Sequence, residues 1–444
     1  MIAALRRALA APELSAELRR LAVGAPAAAP LSVTVDLPGP GGDLLAALPA
    51  GGPFWYRAEP AAARYRLGLG HALQIASDGP QRFAALDNAF AGLRRDWRHN
   101  GRALAFIGFA FADHGGAPLP NALLAIPAIL LDSDGERYTA TFSTPVAHLD
   151  AAPARWAELL RPATPTPPPA LKIHPENPLT ASAWTARVEA ALRAIDSGRL
   201  AKVVLGRQRT IAADGEFNCR AILAHLLRQQ ADSLIYAHGD GDYCFLGATP
   251  ERLLALRGGK FDIDALAGTA WPGSPALDSS KNRHEQALVS HAIVAALTPL
   301  CAESPTATAT DAQQAGHLSH LRSRIRGQAR AECTLFDLLR AVHPTPAVGG
   351  YPSQAALDWL SAHDERRSAW YSGGFGILQA DGDGDIAVAL RSALVRGRFA
   401  ELQAGAGIVA GSDPAGEFAE TEAKMATLLT ALSVEPASKN GTDG

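Results

Sequence analysis

The chain has little of what marks the specialised protein classes. Its four cysteines, Cys219, Cys244, Cys301 and Cys333, show neither CxxC spacing nor a zinc pattern. A disulfide framework and a structural zinc module are thereby set aside, and reduced, packed thiols of a cytoplasmic protein are expected. Neither sign of charge is in excess: 41 Lys and Arg stand against 44 Asp and Glu. Nothing in that balance recruits nucleic acid or an anionic membrane surface. No apolar run reaches membrane-spanning length, and no internal repeat is visible. The segment Met1-Ile-Ala-Ala-Leu-Arg-Arg7 is short in apolar residues and is soon followed by Glu13 and Glu17, so it reads as an amphipathic surface helix rather than a signal peptide.

What is present is ordinary globular material. With 48% hydrophobic and 19% charged residues, 444 residues suffice for one large domain or two ordinary ones. Residues 1–30 read as helical. Strand-like runs follow at Leu31–Val35, Ala103–Ile107 and Ala122–Ile126, with helical spacing between Pro80 and Arg95. The proline-rich stretch Arg161–Pro169 forms neither helix nor sheet interior. It divides a less regular portion, 1–170, from a second portion, 171–435. The polar tail 436–444 is expected to be disordered.

The second portion carries the chemistry. A helix over about Ser182–Ile195, stopped at Gly198, leads into a strand Lys202–Ile211 in which Lys202, Val204, Gly206 and Gln208 share a face. A lysine at a strand start is commonly just solvated. Gly206 on that face is odd, because glycine weakens a strand unless something must come close. Glu251 lies in a turn between two strands, beside Arg252. A helix over Lys281–Leu297 has the apolar stripe Val289, Ala292, Ile293 and Ala296, and Glu285 extends that stripe. A charge on an apolar face is rarely left unpaired. His343 stands at the mouth of a rigid Gly/Pro loop, although a lone histidine is often structural. Arg391 sits inside an apolar strand, Ile386–Leu394, where it needs an anion.

One stretch ties these together. From Ala404 to Lys424 the chain reads as a strand end, a glycine turn and a helix capped by Asp413 with Pro414 at its first position. Gly405 and Gly407 allow close approach to an anion. Glu417, Glu420 and Lys424 share one side of the helix, and two carboxylates a turn apart repel unless a cation lies between them. A plain reading stays open: Glu417 complements the helix dipole, and Glu420 with Lys424 has surface ion-pair spacing.

Seven pieces in this order resemble the chorismate-utilising enzyme family: Lys202-Val-Val-Leu-Gly-Arg207, Gly247-Ala-Thr-Pro-Glu-Arg252, Leu266-Ala-Gly-Thr-Ala270, Lys281-Asn-Arg-His-Glu285, His343-Pro-Thr-Pro-Ala-Val-Gly-Gly350, Trp370-Tyr-Ser-Gly-Gly374, and Gly405-Ala-Gly-Ile-Val409 through Lys424. The resemblance covers about residues 180–432 firmly and the earlier part loosely. It implies an α+β fold of layered antiparallel sheets flanked by helices. Within the family, Lys202 with Ala347 looks like the isochorismate synthases, and Trp370-Tyr-Ser-Gly is similar to the menaquinone-pathway branch. Amine-transferring members typically have glutamine and threonine at these two positions, and salicylate synthases keep the lysine with threonine. A salicylate synthase is therefore the alternative, with an amine-transferring or non-catalytic relative behind it.

The resemblance implies water addition at C2 of chorismate with loss of the C4 hydroxyl. Lys202 would be the base, with a proton affinity lowered by burial or nearby cations, and Glu251 the acid, with its own raised. Glu285 and Glu420 would hold Mg²⁺, with Glu417 close by or bound through water. Arg391, Tyr371 and the backbone near Gly405 and Gly407 would hold the enolpyruvyl carboxylate. Thr269, His343, Ala347 and Lys424 would complete the wall. Two departures, Gln286 where the family has histidine and Trp271-Pro272 where arginine is common, put substrate affinity rather than reaction type in doubt. No amidotransferase partner is expected, and the protein is expected to be a monomer or weak homo-oligomer.

Overall fold

In the computed structural model, residues 1–39, 41–49, 51–161, 180–316 and 318–433 are described, together with the backbone of 173–176. The proline-rich connector beyond Arg161 and the tail expected to be disordered lie outside the described residues. The architecture is one continuous, largely antiparallel sheet system with helices laid on it. Strands from before residue 161 pair directly with strands from after residue 180. Ile235 stands opposite Ala58, and Gly374 opposite Phe109. The two portions therefore share hydrogen-bond ladders. Among the described residues no helix is long and apolar enough to cross a membrane.

Local chemistry accounts for most elements. Pro12 splits the first helical region into Ile2–Ala10 and Pro12–Ala22, taking the helix-start position where its missing N–H costs nothing. The helix Ala181–Asp196 buries Trp184, Val188, Ala191 and Ile195, and Gly198 follows it at φ 74°. The strand Lys202–Ala213 runs antiparallel to Phe399–Val409 over eleven residue pairs, with Gly206 opposite Gly405 and Val204 opposite Gly407. Lys260–Ala270 pairs with Leu318–Gln328 through a bulge at Gly268, whose φ is 70°. The helices Ser280–Leu297 and Leu335–Val342 lie over this region and feed its core with Val289, Ile293, Leu338 and Leu339, all essentially fully buried.

One expected strand is broken. Ile386–Leu394 alternates as a single strand, but the chain forms Gly384–Val388 and Ser392–Arg396, separated at Arg391, whose φ is 49°. A non-glycine residue held in the left-handed region is strained, and alternation of side chains carries no sign of it.

Candidate active site

Four strand ends and two helices, far apart in sequence, close around one cavity. Lys202, Glu251, Thr269, Glu285, Ala347, Tyr371, Arg391, Gly405, Gly407, Glu420 and Lys424 all line it. His343 and Glu417 do not.

Lys202 opens its strand and is 1% exposed. Its Nζ lies 2.8 Å from Glu285 Oε1. The burial expected for this lysine is complete, but its ion-pair partner is an anion on the facing helix. Gly407 makes that contact fit: a Cβ there would fall on Glu285 Oε1 and lie 3.0 Å from Lys202 Cε. Gly206 has a similar reason. The Glu365 carboxylate accepts its N–H at 2.5 Å and occupies the space a side chain would need.

Glu251 is 3% exposed, and its Oε1 has no hydrogen-bond partner among the described residues. Its backbone is pinned on both sides: its N–H donates to Thr249 Oγ1 at 3.3 Å, and its carbonyl accepts from Val388 at 3.1 Å. Burial, then the neighbouring Asp264 charge, pushes the carboxyl up to about 8, against the opposing pull of Lys202 and Lys424. A carboxyl so placed carries a proton at neutral pH.

The other glutamates are held by lysines. Glu420 pairs with Lys424 at 2.6 Å, and Lys424 also donates to the Gly405 carbonyl at 2.7 Å. Glu417 pairs with Lys281 across two helices at 2.7 Å. Burial and then the Glu420 charge raise the proton affinity of Glu417. Burial works to lower that of Lys281, but Glu417, Glu285 and Glu420 together raise it, so all three carboxylates share one electrostatic neighbourhood. Among the described residues no three acidic, histidine or cysteine side chains form a metal-holding group. Glu417, expected close by or bound through water, is turned to Lys281 and lies off the cavity lining. Two carboxylates lining one cavity, Glu285 and Glu420, fit the habit of Mg²⁺, which takes one or two and leaves its other positions to water and substrate oxygens.

Elsewhere on the lining, Arg391 is 7% exposed. One guanidinium nitrogen, Nη2, donates to His320 Nε2 at 3.1 Å, and Nη1 has no partner among the described residues. Burial lowers its pKa to about 10. A buried, half-satisfied guanidinium calls for a carboxylate. His320 Nδ1 lies 3.1 Å from Thr269 Oγ1. Since arginine only donates, His320 Nε2 accepts and Nδ1–H donates to the threonine. Burial, then Arg391 and Lys424, keep this imidazole neutral. The Tyr371 hydroxyl closes the wall at Gly405, 2.9 Å from where a Cβ would stand.

His343 is a correction. It is packed edge-on against Phe83, Phe109 and Phe111, and Nε2 contacts the Phe111 carbonyl at 3.1 Å. Burial pushes it down to about 3, so it is a neutral core residue. The histidine on the cavity is His320, which lies outside all seven motifs. Its signal was the alternation of Leu318-Ser-His-Leu-Arg-Ser-Arg-Ile325, which places Leu321 and Ile325 on the core face and His320 on the other.

With this geometry in place the comparisons with known proteins are decisive. The chorismate binding enzyme model matches residues 33–433. The chain belongs to the chorismate binding enzyme family. It is 34% identical to the salicylate biosynthesis isochorismate synthase of Pseudomonas aeruginosa over 412 residues, 86% of this chain and 85% of that one. It is 32% identical to an isochorismate synthase of Bacillus subtilis over 262 residues, 57% of this chain and 56% of the relative. The solved menaquinone-specific isochorismate synthase from Escherichia coli superposes with a TM-score of 0.79 at 26% identity, covering 94% of this chain and 98% of that one. The layered α+β architecture expected from the motifs is thus the family's fold. The family's usual histidine after Glu285 is here Gln286, 2% exposed, whose Nε2 donates to the Ala265 carbonyl at 2.9 Å and makes weaker contacts to Ser290 and Ser323. It serves the strand–helix packing behind the cavity.

Proposed function

We propose that this protein is an isochorismate synthase, converting chorismate to isochorismate by adding water at C2 and releasing the C4 hydroxyl. The observation that carries the reading is the pair Lys202 and Glu251 on one cavity: a buried amine on one strand and, on a neighbouring turn, a buried carboxyl that holds its proton near neutral pH. Water is a weak nucleophile and hydroxide a poor leaving group, so the exchange needs a base and an acid at once. Lys202 takes a proton from the water as its oxygen bonds to C2. The ring double bond shifts, the C4–O bond breaks, and Glu251 delivers its proton to the departing oxygen. One water enters and one leaves, so the product is an isomer of the substrate.

The charges suit a dicarboxylate. Lys424 and Arg391 face the carboxylates of Glu285 and Glu420, with Glu251 neutral and Lys202 uncharged in the form that acts as base. A dianion needs more positive charge than this balance offers. Glu285 and Glu420 are the residues that would hold Mg²⁺, which supplies that charge to the ring carboxylate. Arg391 and the Tyr371 hydroxyl receive the enolpyruvyl carboxylate. Ala347 leaves the cavity short of the hydroxyl that threonine carries in the salicylate-forming and amine-transferring members, which favours arrest at isochorismate.

Purified protein incubated with chorismate and Mg²⁺, with products resolved by liquid chromatography and mass spectrometry, tests the reading. Isochorismate is the expected product. Salicylate with pyruvate would move the protein to the salicylate synthases, and anthranilate or aminodeoxychorismate with ammonia to the amine-transferring members.

A further inference from the structure

The turn that carries Glu251 is irregular. The strand Arg252–Arg257 pairs with Gly384–Val388 through a register shift between Arg252 and Leu254. Its ladder with Lys260–Ala270 begins only at Ala255 opposite Asp262. The Arg252 N–H therefore has no strand carbonyl to bond, and Asp264 Oδ2 accepts it instead at 3.1 Å. Asp264 is 7% exposed, and its second oxygen, Oδ1, has no hydrogen-bond partner among the described residues, a condition it shares with Glu251 Oε1. A neutral acceptor such as asparagine would satisfy the same amide. A buried carboxylate there is costly and calls for a further reason.

We propose that Asp264 is the positioning residue of Glu251: it clamps the Arg252 amide, fixing the bulge that aims the Glu251 carboxyl into the cavity, and it sets a second buried negative charge beside that carboxyl. The inference rests on the acid role given to Glu251 above. Glu251 is faced by Asp264 from the strand Lys260–Ala270, by Lys202 from the strand Lys202–Ala213 and by Lys424 from the last helix. Asp264 is faced by Arg252 from its own hairpin, by Arg322 from the strand Leu318–Gln328 and by Asp262. The two lysines draw the proton off Glu251. Asp264 opposes them, and with burial it leaves the acid loaded at the pH where the lysine base must work.

The test compares wild type, D264N and D264S as full-length proteins with chorismate and Mg²⁺. Asparagine keeps an acceptor for the Arg252 amide and removes the charge. Its kcat/KM at the acid end is expected within a few-fold of wild type, while the alkaline limb moves down by about one pH unit. D264S, also uncharged, should move the limb the same way, with a further loss of about tenfold in kcat because the clamp is shorter. The second readout needs no turnover: the infrared band of the protonated Glu251 carboxyl, identified by its disappearance in E251Q, should titrate at lower pH in both Asp264 variants. An unmoved band and an unmoved limb overturn the proposal, because a merely structural aspartate shifts neither. A wild type that leaves chorismate unchanged overturns the functional reading instead, and the infrared titration still decides the role of Asp264.

Discussion

At the residue scale, the site works through side chains whose neighbours decide their charge. Glu251 is the clearest case. With its carboxyl raised to about 8 by burial and Asp264, the acid is loaded below that pH and is lost as pH climbs through it. The rate of wild type should therefore fall on the alkaline side with that limb, and E251Q should lose about 10²–10⁴-fold in kcat while keeping its fold, checked by steady-state kinetics beside circular dichroism. Gly407 carries a second prediction. A methyl group there lands on Glu285 Oε1 and crowds Lys202. G407A should split that ion pair, costing about 1–3 kcal/mol in chemical denaturation and most of the activity. Glu285 and Arg391 are visible because each is a charge on an otherwise apolar element, whereas Lys202 and Glu251 stand out only through their places in the family motifs. The same reasoning misplaced His343, since a histidine beside Gly and Pro looks like a loop residue until Phe83, Phe109 and Phe111 are seen to enclose it.

At the scale of elements, helix positions proved easier to foresee than strand breaks. The helix expected over Lys281–Leu297 is observed as Ser280–Leu297, with the side chain of Ser279 capping it at the Asn282 amide. The helix beginning at Pro414 runs to Leu432 with Asp413 as its cap. These starts are written in short-range chemistry. The interruption at Arg391 is not, because it is imposed by the partners of the two half-strands: Ala393 pairs with Leu246 and Ile386 with Leu254. The helix face bearing Glu417 and Glu420 divides its labour. Glu420 lines the cavity, while Glu417 binds Lys281 and staples the two helices together. Loss of the Glu420 carboxylate should thus weaken Mg²⁺ binding by at least about 100-fold, and loss of Glu417 by about tenfold, through mispositioning alone. Mg²⁺ titration of E420A and E417A by calorimetry checks the order, and equal losses would make Glu417 a direct ligand.

At the scale of the whole molecule, the site is assembled by strands that are distant along the chain. The first portion lends ladders to the second at Ala58–Ile235 and at Phe109–Gly374, so the strand Gly374–Gln379 would lose one of its two partners without it. Residues 171–433 expressed alone should show no cooperative thermal transition and no turnover, although every residue assigned to chemistry lies within them. The chemistry of the fold was legible because acid, base and metal-holding groups recur at fixed places in seven short motifs. The topology that unites them was not, because pairings between residues more than a hundred positions apart leave no local trace. The central claim is that solvent water supplies the new hydroxyl. Running the reaction in ¹⁸O-enriched water and weighing the isochorismate formed tests it most directly. One labelled oxygen per product molecule is predicted, and a product without label would mean that the C4 hydroxyl migrates and that Lys202 and Glu251 do not work on water at all.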